Sequence, residues 1–155
     1  MRRLALLVAF VGAVITSPMG AKASAVINTN NQLFPASNCL VHVTVGSSGV
    51  AGDETITVKV TCGPNFWGYY PNFLSVSAND SLSGCWAGGS SSSYPIATAG
   101  PFSCRVATAV PGPHNINVSL SFDPHDLTYS PGCAQDTVYD PSYEECGWSF
   151  VAIVA

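Results

Sequence analysis

Two cysteine-flanked segments with alternating apolar residues restrict the fold more than any other part of the sequence. Residues 39–46 read CLVHVTVG and residues 55–62 read TITVKVTC. In both segments an apolar residue occupies every second position, which is the pattern of a β-strand with one buried face. A polar, glycine-rich stretch separates them. The pattern therefore predicts an antiparallel β-hairpin.

The apolar face of this hairpin also predicts its register. With Val45 opposite Ile56, the other valines of the two strands face one another and Cys39 lies opposite Cys62. The second face then carries polar cross-strand pairs, as expected where a sheet meets water. A slip of one residue would turn the valines toward solvent, so the register is strongly specified.

The first 25 residues have the features of a secretory signal peptide. A basic start precedes a short apolar run over residues 4–15, and small residues at Ala23 and Ala25 provide a cleavage site. The run is too short to span a hydrocarbon core about 30 Å thick. We therefore expect residues 1–25 to be removed and residues 26–155 to form a single secreted, extracellular domain with no membrane span.

The exported domain contains few cations. Lys59 and Arg105 are the only lysine or arginine residues after residue 25, beside nine acidic residues. A chain with two cations cannot neutralise a run of phosphates. Nucleic acid and anionic membrane surfaces are therefore poor candidates as partners.

An even number of cysteines in an exported chain indicates disulfides. No C-x-x-C pair occurs among them, so we expect no metal site. Hairpin geometry pairs Cys39 with Cys62, which leaves neighbouring cysteines to form the other two bridges, but the sequence leaves other arrangements open. The six cysteines are Cys39, Cys62, Cys85, Cys104, Cys133 and Cys146.

Further strands are predicted downstream of the hairpin. Residues 73–78 alternate weakly, residues 102–110 are apolar and extended, and residues 116–122 alternate most clearly. Residues 148–154 have apolar side chains at both odd and even positions, so both faces of a strand here would be apolar. This pattern is typical of a central strand covered on both faces. We expect a mainly β domain, either a single antiparallel sheet or a sandwich, stapled by three disulfides and with little helix.

Two segments carry weaker signals. Residues 26–38 are polar and contain Pro35, so they predict at most a short edge strand. Residues 81–100 are rich in serine and glycine, which indicates a long loop or an irregular element pinned by a disulfide.

No arrangement of residues indicates an enzyme. The G-x-S-x-G pattern of a nucleophile elbow is absent. Glu144 and Glu145 are neighbours and would point apart in an extended segment, so paired-carboxylate hydrolysis is not indicated. The histidines have no spacing typical of a metal site or a catalytic triad; they are His42, His114 and His125. We expect no catalytic residue, no metal and no cofactor.

A turn-rich stretch over residues 63–72 contains a group of aromatic residues. Aromatic side chains on a surface loop can stack against sugar rings or pack into a protein partner. Alternatively, some of them cap the core. One functional hypothesis is therefore an extracellular binding or adhesion module of β-sandwich type, which recognises glycans or a protein partner through Trp67, Tyr69 and Tyr70.

A second hypothesis comes from a resemblance to a known family. Residues 61–71 read TCGPNFWGYYP and follow a strand that ends in VTVG at residue 46. Here the chain resembles the subtilisin-inhibitor-like family of secreted actinobacterial serine protease inhibitors, in which a V-T-V-G strand and a T-C-x-P-x-x-x-G-x-x-P turn occur in this order. The similarity of order and spacing continues through the later cysteines and spans about residues 40–133.

The resemblance implies an inhibitor of an extracellular serine protease, with an α+β fold and a rigid, substrate-like loop. The family's scissile bond lies two residues after its third cysteine, which corresponds here to Val106–Ala107, flanked by Cys104 and Arg105. A disulfide beside the bond would keep the loop ordered before binding. Valine would suit a subtilisin- or elastase-like protease, whereas a shift of one residue would present Arg105 to a trypsin-like one.

The resemblance also implies a different set of disulfides from the one that hairpin geometry suggests. The implied pairs are Cys62–Cys85, Cys104–Cys133 and Cys39–Cys146, and we expect this set to be slightly favoured because it joins the first strand to the last. The first functional expectation is the protease inhibitor, and the alternative is the binding module.

Overall fold

The chain forms an all-β structure over the part that the computed structural model describes, which consists of residues 25–34, 38–47, 50–92, 98–123, 133–135 and 144–155. The predicted signal peptide lies almost wholly outside these ranges. In chain order the strands are β1 (Ile27–Phe34), β2 (Cys39–Gly46), β3 (Glu54–Cys62), β4 (Leu74–Asp80), β5 (Trp86–Ser91), β6 (Thr98–Val106), β7 (Gly112–Phe122), β8 (Cys133–Gln135) and β9 (Glu144–Val154).

These strands make two antiparallel sheets. The first sheet has the order β1-β2-β3-β6, and the second has the order β5-β4-β7-β9-β8. Buried apolar side chains from both sheets form one core between them, as in a β-sandwich. The expected mainly β domain is therefore confirmed in its sandwich form. The described residues contain no helix, so the fold is not the α+β one that the family resemblance implies.

The predicted hairpin is present in the predicted register. Cys39 lies opposite Cys62 and Val45 lies opposite Ile56 along β2 and β3. All the valines of its inner face are buried. Burial of each such side chain contributes roughly 1.5–3 kcal/mol, so the hairpin supplies a large share of the core.

The disulfides follow strand geometry. Cys39–Cys62 and Cys133–Cys146 join residues directly opposite one another on paired strands, with Cα atoms 4.0 Å and 4.1 Å apart. Cys85–Cys104 instead joins the edge of the second sheet to β6 of the first, with Cα atoms 5.7 Å apart. Hairpin geometry thus predicts the pairing correctly. The pairing implied by the family resemblance is wrong, because each cysteine already has a nearer partner.

Two segments form more regular structure than their sequence indicates. β1 pairs with β2 over eight residues, although its side chains are mostly exposed, because the pairing uses backbone groups. β5 is an edge strand in the stretch that predicts a loop. There Phe102 packs so closely on Gly89 that a Cβ atom at residue 89 would lie 2.5 Å from its ring, so glycine permits the contact.

β9 lies inside its sheet, between β7 and β8, as predicted. The prediction that both of its faces are covered is wrong. Ala152 and Val154 are buried on the inner face, whereas Val151 and Ile153 on the outer face are exposed. Apolar side chains on both faces of β9 therefore do not mean that a further layer of the protein covers its outer face.

Candidate functional site

The aromatic residues of the binding hypothesis lie in the connection between β3 and β4, at one end of the sandwich. We call residues 64–70 the aromatic loop and this end of the sandwich the loop end. Phe66, Trp67 and Tyr69 expose 90%, 67% and 53% of their surface. These three side chains therefore face solvent and do not cap the core.

Asn65 holds the aromatic loop in shape. Its side-chain oxygen accepts hydrogen bonds from the backbone N–H groups of Trp67 and Tyr69, both at 3.0 Å. Its own N–H donates to the Tyr69 carbonyl at 2.8 Å, and its carbonyl accepts from the Gly68 N–H at 2.9 Å. Gly68 has a φ of 84°, a conformation that favours glycine. Local bonds of this kind fix a turn without help from the core.

Asn38 anchors the base of the loop to β2. Its carbonyl accepts a hydrogen bond from the Gly63 N–H at 2.8 Å, and its side-chain amide donates to the Pro64 carbonyl at 3.2 Å. The Cys39–Cys62 disulfide joins the two strands at the same level. The loop is therefore tied to the hairpin on both sides.

The exposed rings have a defined mutual orientation. The ring centroids of Phe66 and Trp67 are 5.2 Å apart and the ring planes meet at 84°, which is an edge-to-face contact. Tyr70, the other predicted contact residue, is half-buried. The loop thus exposes two perpendicular rings and the Tyr69 side chain, while Tyr70 is partly covered.

The predicted protease-binding residues lie at the opposite end of the sandwich. Cys104, Arg105 and Val106 are the last residues of β6, and Ala107 follows as an exposed residue. The Val106 side chain is half-buried and packs against the core, in register with Glu54 of β3. The predicted specificity residue therefore lies on the inner face of the sheet.

The backbone around Ala107 is braced on both sides. The Arg105 guanidinium donates two hydrogen bonds to the buried Asp53 carboxylate, at 2.8 Å and 3.2 Å. Farther along, the Ala109 N–H donates to the Gly52 carbonyl at 2.8 Å. Gly52 has a φ of 79°, and a Cβ atom there would lie 2.6 Å from the Ala109 carbonyl oxygen. The exposed residues between these contacts form a short, braced segment.

Three buried ionisable side chains meet at this same end, which we call the cluster end. Glu54 opens β3, Asp80 closes β4 and His114 lies near the start of β7. Their exposed fractions are 0%, 1% and 1%. One carboxylate oxygen or ring nitrogen from each lies within 4.8 Å of the others. Because β3 belongs to the first sheet and β4 and β7 to the second, the cluster spans the sandwich.

His114 is held by acceptors at both ring nitrogens. Nδ1 lies 2.5 Å from an Asp80 carboxylate oxygen, and Nε2 lies 2.5 Å from the Val110 carbonyl oxygen. A carbonyl oxygen only accepts, so Nε2 carries a proton and donates it to Val110. Asp80 also accepts from the backbone N–H groups of Leu82 and Ser83. Both side chains are therefore fixed in orientation.

Glu54 is different, because neither of its carboxylate oxygens has a hydrogen-bond partner among the described residues. Burial raises the pKa of Glu54 above its ordinary value, and the negative charge of Asp80 adds to the effect. The nearby Ser83 hydroxyl and His114 offset only part of this increase. Glu54 is thus a fully buried carboxyl group that its surroundings do not satisfy.

The other two groups shift in the direction that favours an ion pair. Burial alone would raise the pKa of Asp80, but hydrogen bonds from His114, Leu82 and Ser83 outweigh it and lower the pKa. Burial alone would lower the pKa of His114, but its hydrogen bonds to Asp80 and Val110 and the nearby negative charges raise it. The charged forms of Asp80 and His114 therefore stabilise each other.

The sequence interpretation missed this cluster, although the alternation contains a signal. An ionisable residue at an inward-facing position of a strand is unusual, because charged groups are rarely buried without a partner. Three such positions on strands that meet at one end would have indicated a site. Each residue lies two positions from a buried apolar residue of its strand: Glu54 from Ile56, Asp80 from Ala78 and His114 from Ile116.

No protein-family profile, no curated protein and no solved structure matches this chain. Within the described ranges there is no helix that is both long and apolar enough to cross a membrane. The three disulfides are consistent with an extracellular protein, since such bonds persist mainly in oxidising compartments. Inferences about function therefore depend on the chemistry of the two ends of the sandwich.

Proposed function

We propose that this protein is an exported binding module that contacts its ligand through the aromatic loop. The observation that supports the proposal is the combination of exposed rings and a hydrogen-bonded backbone in one seven-residue segment, residues 64–70. Exposed apolar groups that cluster commonly mark a contact surface. Because Asn65 already orders the loop, binding would lose little conformational entropy.

The ligand class that we propose is a neutral polysaccharide. Aromatic rings can pack on the apolar faces of sugar rings, and Trp67 and Tyr69 also carry polar groups that can hydrogen-bond at the edge of such a contact. An anionic ligand would need nearby cations. Arg105 lies at the cluster end and bonds to Asp53, and Lys59 lies within β3, so neither provides positive charge to the aromatic loop.

Co-sedimentation with insoluble polysaccharides tests this proposal. Purified residues 26–155 would be mixed with cellulose, chitin and insoluble starch at increasing concentration. We expect binding to at least one of them, and Trp67→Ala to weaken it at least about tenfold, equivalent to about 1.4 kcal/mol. Trp86→Ala is the matched control, because Trp86 is also exposed but lies at the other end of the sheet, opposite Asn79.

Two results would reject the polysaccharide proposal. One is the absence of binding to all three polysaccharides by the folded wild-type protein. The other is equal loss of binding in Trp67→Ala and Trp86→Ala, which would show that the aromatic loop is not the contact surface. In either case a protein partner becomes the ligand class to test next.

Inhibition of a subtilisin- or elastase-like serine protease is the second candidate function. The observation that favours it is the braced, exposed segment after β6, next to the Cys85–Cys104 disulfide, since a substrate-like inhibitor needs a rigid loop. Val106 packs inward, so its side chain would have to leave the core to fill a protease pocket. This requirement makes inhibition the weaker candidate.

Titration of subtilisin, elastase and trypsin with the purified domain tests the inhibitor function. Stoichiometric loss of protease activity, with slow cleavage at Val106–Ala107, would establish it. Proteases that stay fully active, or that cut the segment freely, would reject it. Trp67→Ala should inhibit as well as the wild-type protein, which separates this function from polysaccharide binding.

A further inference from the structure

The Glu54 carboxylate is the group in the described core that most needs a partner. It is fully buried, and although Ser83 and Asp80 lie close enough to influence its pKa, neither oxygen has a hydrogen-bond partner of acceptable geometry among the described residues. A buried carboxylate without a partner is costly, and proteins normally pair such a group or use it to coordinate a metal. Glu54 is directed into a cluster whose other members, Asp80 and His114, are also potential ligands. This arrangement has the ligand types and the burial of a cation-binding site.

We propose that Glu54, Asp80 and His114 bind one divalent transition-metal ion, Zn²⁺ in the first instance. The three side chains bring one ligand atom each to within 4.8 Å of the others. Zinc lies about 2.0–2.2 Å from nitrogen and oxygen ligands, so small side-chain movements would allow one ion to contact all three. The positive charge of the ion would balance the two carboxylates.

The surroundings of His114 favour this assignment. Nε2 donates to the Val110 carbonyl, so Nδ1, the nitrogen that faces Asp80, would bind the metal after releasing to solvent the proton that it shares with Asp80. Metal-bound histidines usually donate their other ring N–H to a carbonyl or carboxylate, because this contact fixes the tautomer and the ring orientation. Val110 therefore has the role expected of a residue that supports a metal ligand.

The donor set and its burial indicate which ion and which role. An imidazole with two carboxylates suits Zn²⁺, whereas Ca²⁺ and Mg²⁺ prefer shells made of oxygen ligands. Catalytic zinc sites keep a position open to water or substrate. Structural zinc sites have four ligand atoms, which both Glu54 oxygens, Asp80 and His114 would supply here. Because all three side chains are buried, the ion would be structural. It would join β3 of the first sheet to β4 and β7 of the second.

Calorimetric titration tests the metal site directly. Purified residues 26–155 would be treated with a chelator, dialysed and titrated with ZnCl₂, and thermal unfolding would be recorded with and without one equivalent. We expect one bound Zn²⁺ per chain and a higher Tm. Glu54→Gln keeps the side-chain volume and removes the charge, so it should fold and should bind Zn²⁺ at least about 100-fold more weakly.

The control is Glu145→Gln, the same change at an exposed position, which should bind Zn²⁺ like the wild-type protein. Co²⁺ provides a second readout, because wild-type protein should give visible absorption bands that Glu54→Gln lacks. The proposal is overturned if ZnCl₂ neither binds at one equivalent nor raises the Tm, or if Glu54→Gln binds as tightly as wild type. Stabilisation by CaCl₂ equal to that by ZnCl₂ would overturn the assignment to a transition metal.

Discussion

The two ends of the sandwich depart from the usual distribution of residues in opposite ways. At the loop end, large aromatic side chains face solvent, and local backbone hydrogen bonds fix their positions. At the cluster end, Glu54, Asp80 and His114 lie wholly inside the fold. Most charged groups are exposed and most large clusters of apolar groups are covered. Both ends are therefore where the two proposals place a ligand.

The comparison shows which kind of role each end can have. The rings of Phe66 and Trp67 can be removed without opening the core, so the loop end can serve binding while contributing little to stability. The cluster end buries ionisable groups of both sheets inside the fold, so changes there should act on stability first. Five substitution experiments test this division, beginning with the largest expected effect.

Asp80→Asn should have the largest effect on stability. Asp80 accepts hydrogen bonds from His114, Leu82 and Ser83, and removal of one partner of a buried pair costs about 3–5 kcal/mol. Urea denaturation of the metal-free protein would measure the loss in the free energy of unfolding. Glu145→Gln, an exposed control, should stay within about 0.5 kcal/mol of wild type. A loss below 1 kcal/mol for Asp80→Asn would mean that the buried Asp80–His114 pair does not stabilise the fold.

Removal of the Cys85–Cys104 bridge by the double change to alanine should cost about 3 kcal/mol, because the bridge closes a loop of 19 residues. Hydrogen exchange should accelerate in β5 and β6, while polysaccharide binding by the aromatic loop stays unchanged. The same change at Cys39–Cys62, which closes 23 residues at the loop end, is the comparison. Loss of polysaccharide binding in the Cys85–Cys104 variant would show that the two ends are not independent.

Glu54→Gln should stabilise the metal-free protein at neutral pH, since it removes the charge of a buried carboxyl group while keeping its volume. The pKa of Glu54 is raised in the folded state from its ordinary value of 4.5. Ionisation therefore costs stability as the pH rises from 4.5 through the raised pKa, and protonation removes that cost below 4.5. Denaturation with a chelator at several pH values should show the advantage of glutamine at pH 7 and its disappearance in acid. An advantage that grows toward acid would contradict the burial of Glu54.

Asn65→Ala should destabilise the protein by about 1–2 kcal/mol, because two backbone N–H groups of the aromatic loop lose their acceptor. Polysaccharide binding should also weaken, although every aromatic ring is kept. Thermal unfolding and co-sedimentation would measure the two effects. Asn72→Ala is the control, because the contact that the described structure gives the Asn72 amide is a long one, 3.4 Å to Asp123. Unchanged binding in Asn65→Ala would show that loop order is not needed.

Trp67→Ala should have the smallest effect on stability, within about 0.5 kcal/mol of wild type, because the side chain is largely exposed. The measurement is again urea denaturation, in parallel with the binding assay that should show a large loss. If Trp67→Ala loses more than 1 kcal/mol, the ring supports the fold and the loop end is not specialised for binding.

The hairpin was predictable because its information is local. Strict alternation over β2 and β3, with a cysteine at the far end of each, allows one register only, and that register also predicts the Cys39–Cys62 bridge. The family resemblance failed for the disulfides because its sharp motif covers only the turn at residues 61–71. A turn motif carries no information about which strands become neighbours.

β1 and β5 were not predictable from their own residues. Each is stabilised mainly by backbone pairing with a neighbour, β2 for the first and β4 for the second, and side-chain alternation does not report such pairing. For β9 the sequence predicted too much structure instead of too little, because it indicated that the outer face would be covered. Val151 and Ile153 are apolar but exposed, since a single apolar residue on a surface needs no cover.

The two candidate sites also differ in how far the sequence could predict them. The aromatic loop is one short segment, so its exposure was a simple hypothesis from composition. The cluster combines residues from three strands, separated by 34 residues between Asp80 and His114 alone, and its members meet only when the sheets pack. The alternation of each strand indicates one inward-facing ionisable residue. Which of these residues become neighbours depends on the strand order and on how the two sheets pack.

Chemical-shift mapping would test most directly the claim that the loop end is the binding surface. ¹⁵N-labelled residues 26–155 would be titrated with a soluble oligosaccharide of the neutral polysaccharide that binds in co-sedimentation. We predict that the perturbed amides and the Trp67 indole N–H lie within residues 63–73 and the adjoining ends of β3 and β4. Perturbations centred on residues 104–109 at the cluster end, with the aromatic loop unaffected, would contradict it.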